Sequence, residues 1–224
     1  MLRTLSLTAS LLALTSVAMA HEFTTEDAAR IDASSTAMPG EMSLADIRTA
    51  TEKYRDVEVA LADGYERDPG NICDTAEMMG KPAELGVMGI HFARADLLGI
   101  TAPPDPKVDG NGTHTDFSQP SVLIYEPHAD GSLQLVAVEN LTFQKGWHAA
   151  GNAEPPRLHN VAYDTMADDP ATPGIDEAHM FAPHYDRHIW LYRENPNGVF
   201  AQFNPNATCE HHVTDGAAHK MPGS

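Results

Sequence analysis

The chain has 224 residues, 32 of them acidic against 14 basic, with a formal net charge of −18, 12 histidines and 2 cysteines. So acidic a chain repels phosphate backbones and anionic headgroups, which sets aside nucleic acid and membrane surfaces as partners and favours cations and small polar ligands. The length suits one domain with a real core.

Residues 1–20 have the three parts of a cleaved export signal. Arg3 gives the positive start, residues 5–17 are apolar, and Ala18-Met19-Ala20 supplies the small cleavage residues. The apolar run is too short to span ~30 Å of hydrocarbon, which takes about 20 residues. The expected product is periplasmic or extracellular. Residues 21–42, polar and acidic, read as a flexible leader. Cleavage after Ala20 would leave His21 as an N-terminal copper chelator, a reading weaker than terminal disorder.

The domain proper is expected over 43–209. Ser43 reads as a helix cap with Asp46 three residues on. Ile47, Ala50, Tyr54, Val57 and Leu61 then form one apolar stripe, which predicts a helix of about five turns ending at Gly64. Residues 87–92 predict a strand and 95–98 a helical turn. Residues 121–126 and 133–143 predict a hairpin about Asp130-Gly131, and 188–192 a last strand. Long Pro-rich loops at 101–120 and 144–182 exceed the usual length of structureless connections. Residues 210–224 read as a flexible polar tail. In an oxidising compartment Cys73 and Cys209 pair most simply as a disulfide; the alternative is two thiolate metal ligands. The sum is an α+β domain: an antiparallel, curved or barrel-like sheet with one long N-terminal helix.

Alternation along 133–143 places Leu133, Leu135, Ala137, Glu139 and Leu141 on one face. Glu139 thus stands in an apolar row, where a carboxylate is neutral, paired or metal-bound. Glu126, with Val122 and Ile124, faces the same interior. His91 and His188 sit in apolar strands, and two imidazoles with one carboxylate are a common shell for zinc, iron, manganese or copper. His184 is a further ligand candidate, and Asp186 a candidate acceptor for an imidazole N–H. His114, His128, His148 and His159 read as surface residues. The tail residues His211, His212 and His219 would bind metal at most weakly. Hydrolase, NTPase and dinucleotide fingerprints do not occur in the sequence.

Met88-Gly89-Ile90-His91-Phe92, Leu123-Ile124-Tyr125-Glu126-Pro127, Val136-Ala137-Val138-Glu139, His188-Ile189-Trp190-Leu191, Asn195-Pro196-Asn197-Gly198-Val199-Phe200 and Asn204-Pro205 follow one another in this order. Across about residues 45–209 the series resembles a group of uncharacterised secreted bacterial proteins. The resemblance implies export and places His91, Glu126, Glu139 and His188 within shared motifs; it implies no activity. Residues 144–182 depart from that group, with Arg157-Leu158-His159 in place of a more apolar segment.

The expected function is an exported metal-binding or metal-dependent protein, with His91, Glu139 and His188 as ligands and His184 and Glu126 in reserve. In an enzyme the metal would polarise substrate or activate water, with Glu126 as base. The competing readings are a periplasmic small-molecule binding module without catalysis and a structural or interaction protein.

Overall fold

The computed structural model describes residues 37–213. The signal segment, most of the leader and the tail beyond 213 lie outside the described residues, and so do His21 and His219.

Ser43 caps helix α1 (Leu44–Thr51) as the sequence implies: its Oγ accepts from the Asp46 N–H at 3.1 Å. The helix is shorter than expected. It tightens into a 3-10 turn over Glu52–Arg55 and stops at Asp56, which is extended (φ −91°, ψ 110°) and caps a separate helix α2 (Val57–Ala62) through its carboxylate. Asp side chains compete for nearby backbone N–H groups, which makes such a break favourable. The break turns the second segment, so Ala60 is buried and Leu61 is 43% exposed. Gly64 (φ 89°) ends the unit where a left-handed residue is needed, and the Tyr65 N–H folds back to the Ala60 carbonyl.

The strands are β1 (Glu66–Arg67), β2 (Cys73–Thr75), β3 (Val87–Ala93), β4 (Val122–Pro127), β5 (Leu133–Phe143), β6 (Arg157–Leu158), β7 (Val161–Ala162), β8 (Asp164–Met166) and β9 (His184–Ile189). A seven-stranded antiparallel sheet runs β1-β3-β4-β5-β9-β8, with β2 also paired to β3, while β6 and β7 form a small hairpin. The sheet is open, with β1 and β2 at one side and β8 at the other, and does not close into a barrel. The expected hairpin is present about Gly131 (φ 83°). The helical turn at 95–98 is present as α3 (Ala95–Leu98), and α4 (Gln144–Ala149) follows β5. The last strand begins four residues earlier than expected. His184, Asp186 and His188 alternate as strand residues because the face they meet is polar, and beyond Ile189 the Trp190 N–H turns to the Val199 carbonyl.

The two faces of the sheet differ in chemistry. One packs Ile90, Phe92, Leu123, Tyr125, Val138 and Ile189 against Leu44, Ile47, Tyr54 and Ala60 of the helical unit. The other carries Val122, Ile124, Ala137, Leu141 and Phe143 and is covered by Val108 and Phe181 from the two long loops. A β-bulge lies between them: Ile124 pairs with Ala137 but Tyr125 pairs with Leu135, leaving Val136 as an extra residue. The bulge corrects the expected apolar row. Leu133 and Leu135 belong to the helix face, and only Ala137, Glu139 and Leu141 stay together on the loop face.

Cys73 and Cys209 form the disulfide, 136 residues apart in sequence, which tethers β2 to the C-terminal segment and rules out the thiolate-ligand reading. Residues 210–213 follow the disulfide, and there His212 Nε2 lies 2.7 Å from the Asn71 carbonyl. Among the described residues no helix is long and apolar enough to cross a membrane. A formed disulfide is typical of compartments outside the reducing cytoplasm.

Candidate metal centre

The polar side chains of the loop face converge. Glu139 on β5 stands opposite His188 on β9, and His91 on β3 is the neighbour of Ile124 on β4. From these three strands the ligand atoms of His91, Glu139 and His188 meet within 4.8 Å of one another. Glu139 Oε2 is 3.5 Å from His91 Nε2 and 3.6 Å from His188 Nε2, longer than well-formed hydrogen bonds. His91 is 3% exposed; Glu139 and His188 are fully buried. The three first-choice ligands are thus brought together.

His184 joins a neighbouring group. It meets Asp186, also on β9, and His179 from the loop between β8 and β9, again within 4.8 Å. Its Nδ1 lies 2.9 Å from the Ala182 carbonyl, which fixes the N–H there and turns the Nε2 lone pair inward. His179 and Met180 have left-handed backbones (φ 36° and 73°), an uncommon conformation for residues with a Cβ. That turn carries the His179 ring over the sheet, stacked on His91 with centroids 5.5 Å apart and edge-on to His184 at 5.2 Å. The loop is pinned at both ends: Lys107 binds Asp168 and Asp176, and Val108 bonds to Met180 and Ala182 through the backbone.

Asp74 on β2 completes the set. Its Oδ2 lies 3.0 Å from His91 Nδ1, so the His91 N–H points to a carboxylate and Nε2 faces Glu139. Asp74 reaches the loop face because it pairs with Gly89, whose φ of 122° and lack of a Cβ let β3 close on the Tyr125 carbonyl, which a Cβ would meet at 2.8 Å.

What distinguishes the cluster is missing hydrogen bonds. Both oxygens of Glu139 and of Asp186, both nitrogens of His179 and of His188, and Nε2 of His91 and of His184 are buried without a protein partner. One such atom costs about 1–3 kcal/mol, and so many in one place form an unstable core unless something else engages them. Bound cations would engage such atoms, three ligand residues to a group. The donors are nitrogen and oxygen only, which suits zinc, manganese, iron, cobalt, nickel or copper(II) better than the all-oxygen preference of calcium or magnesium.

Electrostatics agree. Burial holds the imidazoles of His179 and His188 well below their ordinary range, and neighbouring histidines add to the effect. Burial also lowers His184, to about 4. These rings are neutral at neutral pH and so available as ligands, and the proximity of His188 to Glu139 is not an ion pair. Burial opposes charge on His91, but the Asp74 hydrogen bond and charge, with Glu139 and Asp68, outweigh it and lift His91 to about 9. Burial raises Glu139 to about 7, with His91 opposing and Asp74 assisting, and raises Asp186 well above the carboxylate range.

Glu126 is not part of this centre. It shares the face of Val122 and Ile124, but at the far end of β4, beside Gln134 and bound by the Arg193 guanidinium. The expected surface histidines also stay apart. His114 and His128 bond locally, His148 bonds the Asn152 carbonyl and the Tyr185 hydroxyl, and His159 is buried against Met42 rather than exposed. Asp74 and His179 are the residues that sequence reasoning missed. The length of the 144–182 loop was the only signal for His179, and nothing in the sequence around Asp74 marks it. No protein-family model, curated protein or solved structure matches the chain, so the reading of this centre rests on its geometry.

Proposed function

We propose that this is an exported metal-binding protein holding a divalent transition-metal ion through His91 Nε2, Glu139 and His188 Nε2. The observation that carries the reading is the convergence of buried, hydrogen-bond-orphaned imidazole and carboxylate atoms on one sheet face. Two imidazoles and one carboxylate are a familiar shell for zinc, iron or manganese. Asp74 orients His91, and Ala182 orients His184, as acceptors behind metal-bound imidazoles do. Export is supported by the character of residues 1–20 and by the formed disulfide.

The binding-module alternative is less favoured. A cleft of about 760 Å³ is lined by Met79, Lys81, Met166, Asp169 and Phe200, among others, but by no residue of the cluster. A ligand seated there would leave Glu139 and the histidines unengaged.

The test is elemental analysis of the mature protein, purified without a histidine tag or chelator. Bound zinc, iron, manganese or copper, reduced in His91→Ala while the disulfide-linked fold survives, supports the reading. No metal, and no uptake on addition, overturns it.

A further inference from the structure

We infer that the centre is built for two adjacent metal ions, the second held by His179, His184 and Asp186. This rests on the metal-binding reading above and extends it from one ion to two.

Three ligand groupings are geometrically possible: Asp74 with His91 and His179, His91 with Glu139 and His188, and His179 with His184 and Asp186. The first shares a residue with each of the others. It is also the one whose carboxylate already has a task, since Asp74 sits at hydrogen-bond distance from His91 Nδ1. The two remaining groupings share no residue, and each supplies two imidazoles and one carboxylate.

One ion does not account for the orphaned atoms. An ion among His91, Glu139 and His188 leaves His179 with two unpartnered nitrogens, His184 Nε2 unpartnered and both Asp186 oxygens unpartnered, all buried. His184 is the clearest case. Its Nδ1 is committed to the Ala182 carbonyl, so its inward Nε2 has only a lone pair to offer. An ion in the second grouping engages His179, His184 and Asp186 together.

The groupings are contiguous. Asp186 and His188 lie two residues apart on one face of β9, and Asp186 Oδ2 is 3.8 Å from His188 Nδ1, while Nε2 of the same ring faces Glu139. One imidazole therefore stands between the two sets. Charge also favours two ions with a small anion. The carboxylates of Asp74, Glu139 and Asp186 carry three negative charges when ionised against four on two divalent cations, and one bound hydroxide balances this set, while the buried Arg187 guanidinium has its own partner in Asp164. Paired metals of this kind suit activation of water or clamping of an oxyanion substrate.

The experiment is a cobalt(II) titration of the metal-free, untagged mature protein, followed by visible absorption and by elemental analysis after desalting. Expected is saturation at two cobalt ions per chain, one in His179→Ala and in His184→Gln, and one in His91→Ala. His179 lies in a loop, so its replacement leaves every sheet strand intact. The wild-type stoichiometry also decides without any variant. Saturation at one ion per chain, unchanged in the His179 and His184 variants, would overturn the second site and leave the single-ion reading standing. No binding at all would overturn both.

Discussion

Glu139 and His188 face each other across β5 and β9, carboxylate oxygen to imidazole nitrogen at 3.6 Å, and neither is exposed to solvent. The pair has no protein hydrogen bond to stabilise it. Replacing Glu139 with Gln should therefore separate metal binding from stability. The metal-free variant should unfold within about 1 kcal/mol of the metal-free parent, or be more stable, because a buried ionisable group is removed. At a hundredfold excess of metal over Kd the parent should gain about 2.7 kcal/mol from the site that Glu139 completes, and the variant should lose that share. Denaturant unfolding with and without zinc measures both.

In the proposed centre Asp74 would act on the metal through His91, whose Nδ1 lies 3.0 Å from its Oδ2. Asp74→Asn keeps the shape and removes the charge, so metal affinity should fall about 10- to 100-fold with stoichiometry retained. Competition with a chromophoric chelator reads the change. Unaltered affinity would show that Asp74 does not tune the centre.

Metal affinity should rise with pH. His91, raised to about 9, Glu139, raised to about 7, and Asp186, raised well above its ordinary range, must each lose a proton to serve as ligands. His179, His184 and His188 are already neutral at pH 7 and release none. The sign is thus the same for every group that titrates. Binding below pH 7 should weaken by about tenfold or more per pH unit, with protons released on loading. Calorimetry in buffers of different ionisation enthalpy counts them.

Glu126 provides the control. It binds Arg193 away from the cluster, so Glu126→Ala should cost about 1–3 kcal/mol of stability by stranding a guanidinium, with metal content unchanged. Loss of metal in that variant would place Glu126 back among the ligands.

Reduction of Cys73–Cys209 should destabilise the domain by up to about 5 kcal/mol, because the bond closes so long a loop of the unfolded chain. It should leave metal stoichiometry intact wherever the protein is still folded. Thermal unfolding with and without reductant, followed by metal analysis, checks both.

Much of the fold was legible because it is local. The cap at Ser43, the turn at Gly131 and the strands at 87–93 and 133–143 follow from alternation and turn chemistry read over a few residues. His91, Glu139 and His188 were visible as polar residues inside apolar runs. The helix break at Asp56 was hidden because the apolar spacing continues across it, and the bulge at Val136 because every residue around it is apolar.

By itself the sequence determined the acidity, the export-like leader and the three polar residues, His91, Glu139 and His188, that stand out within apolar strands, while the structure decided that Cys73 and Cys209 form a disulfide and are not two thiolate ligands. Tertiary structure alone decided that Asp74, His179, His184 and Asp186 join those three polar residues. Those residues come from β2, from the 167–183 loop and from the early part of β9, which are distant in sequence, and only antiparallel pairing and the fold-over of a pinned loop bring their donor atoms together. The meeting of ligands is a property of register and of loop closure, and neither leaves a periodic mark in the order of the residues.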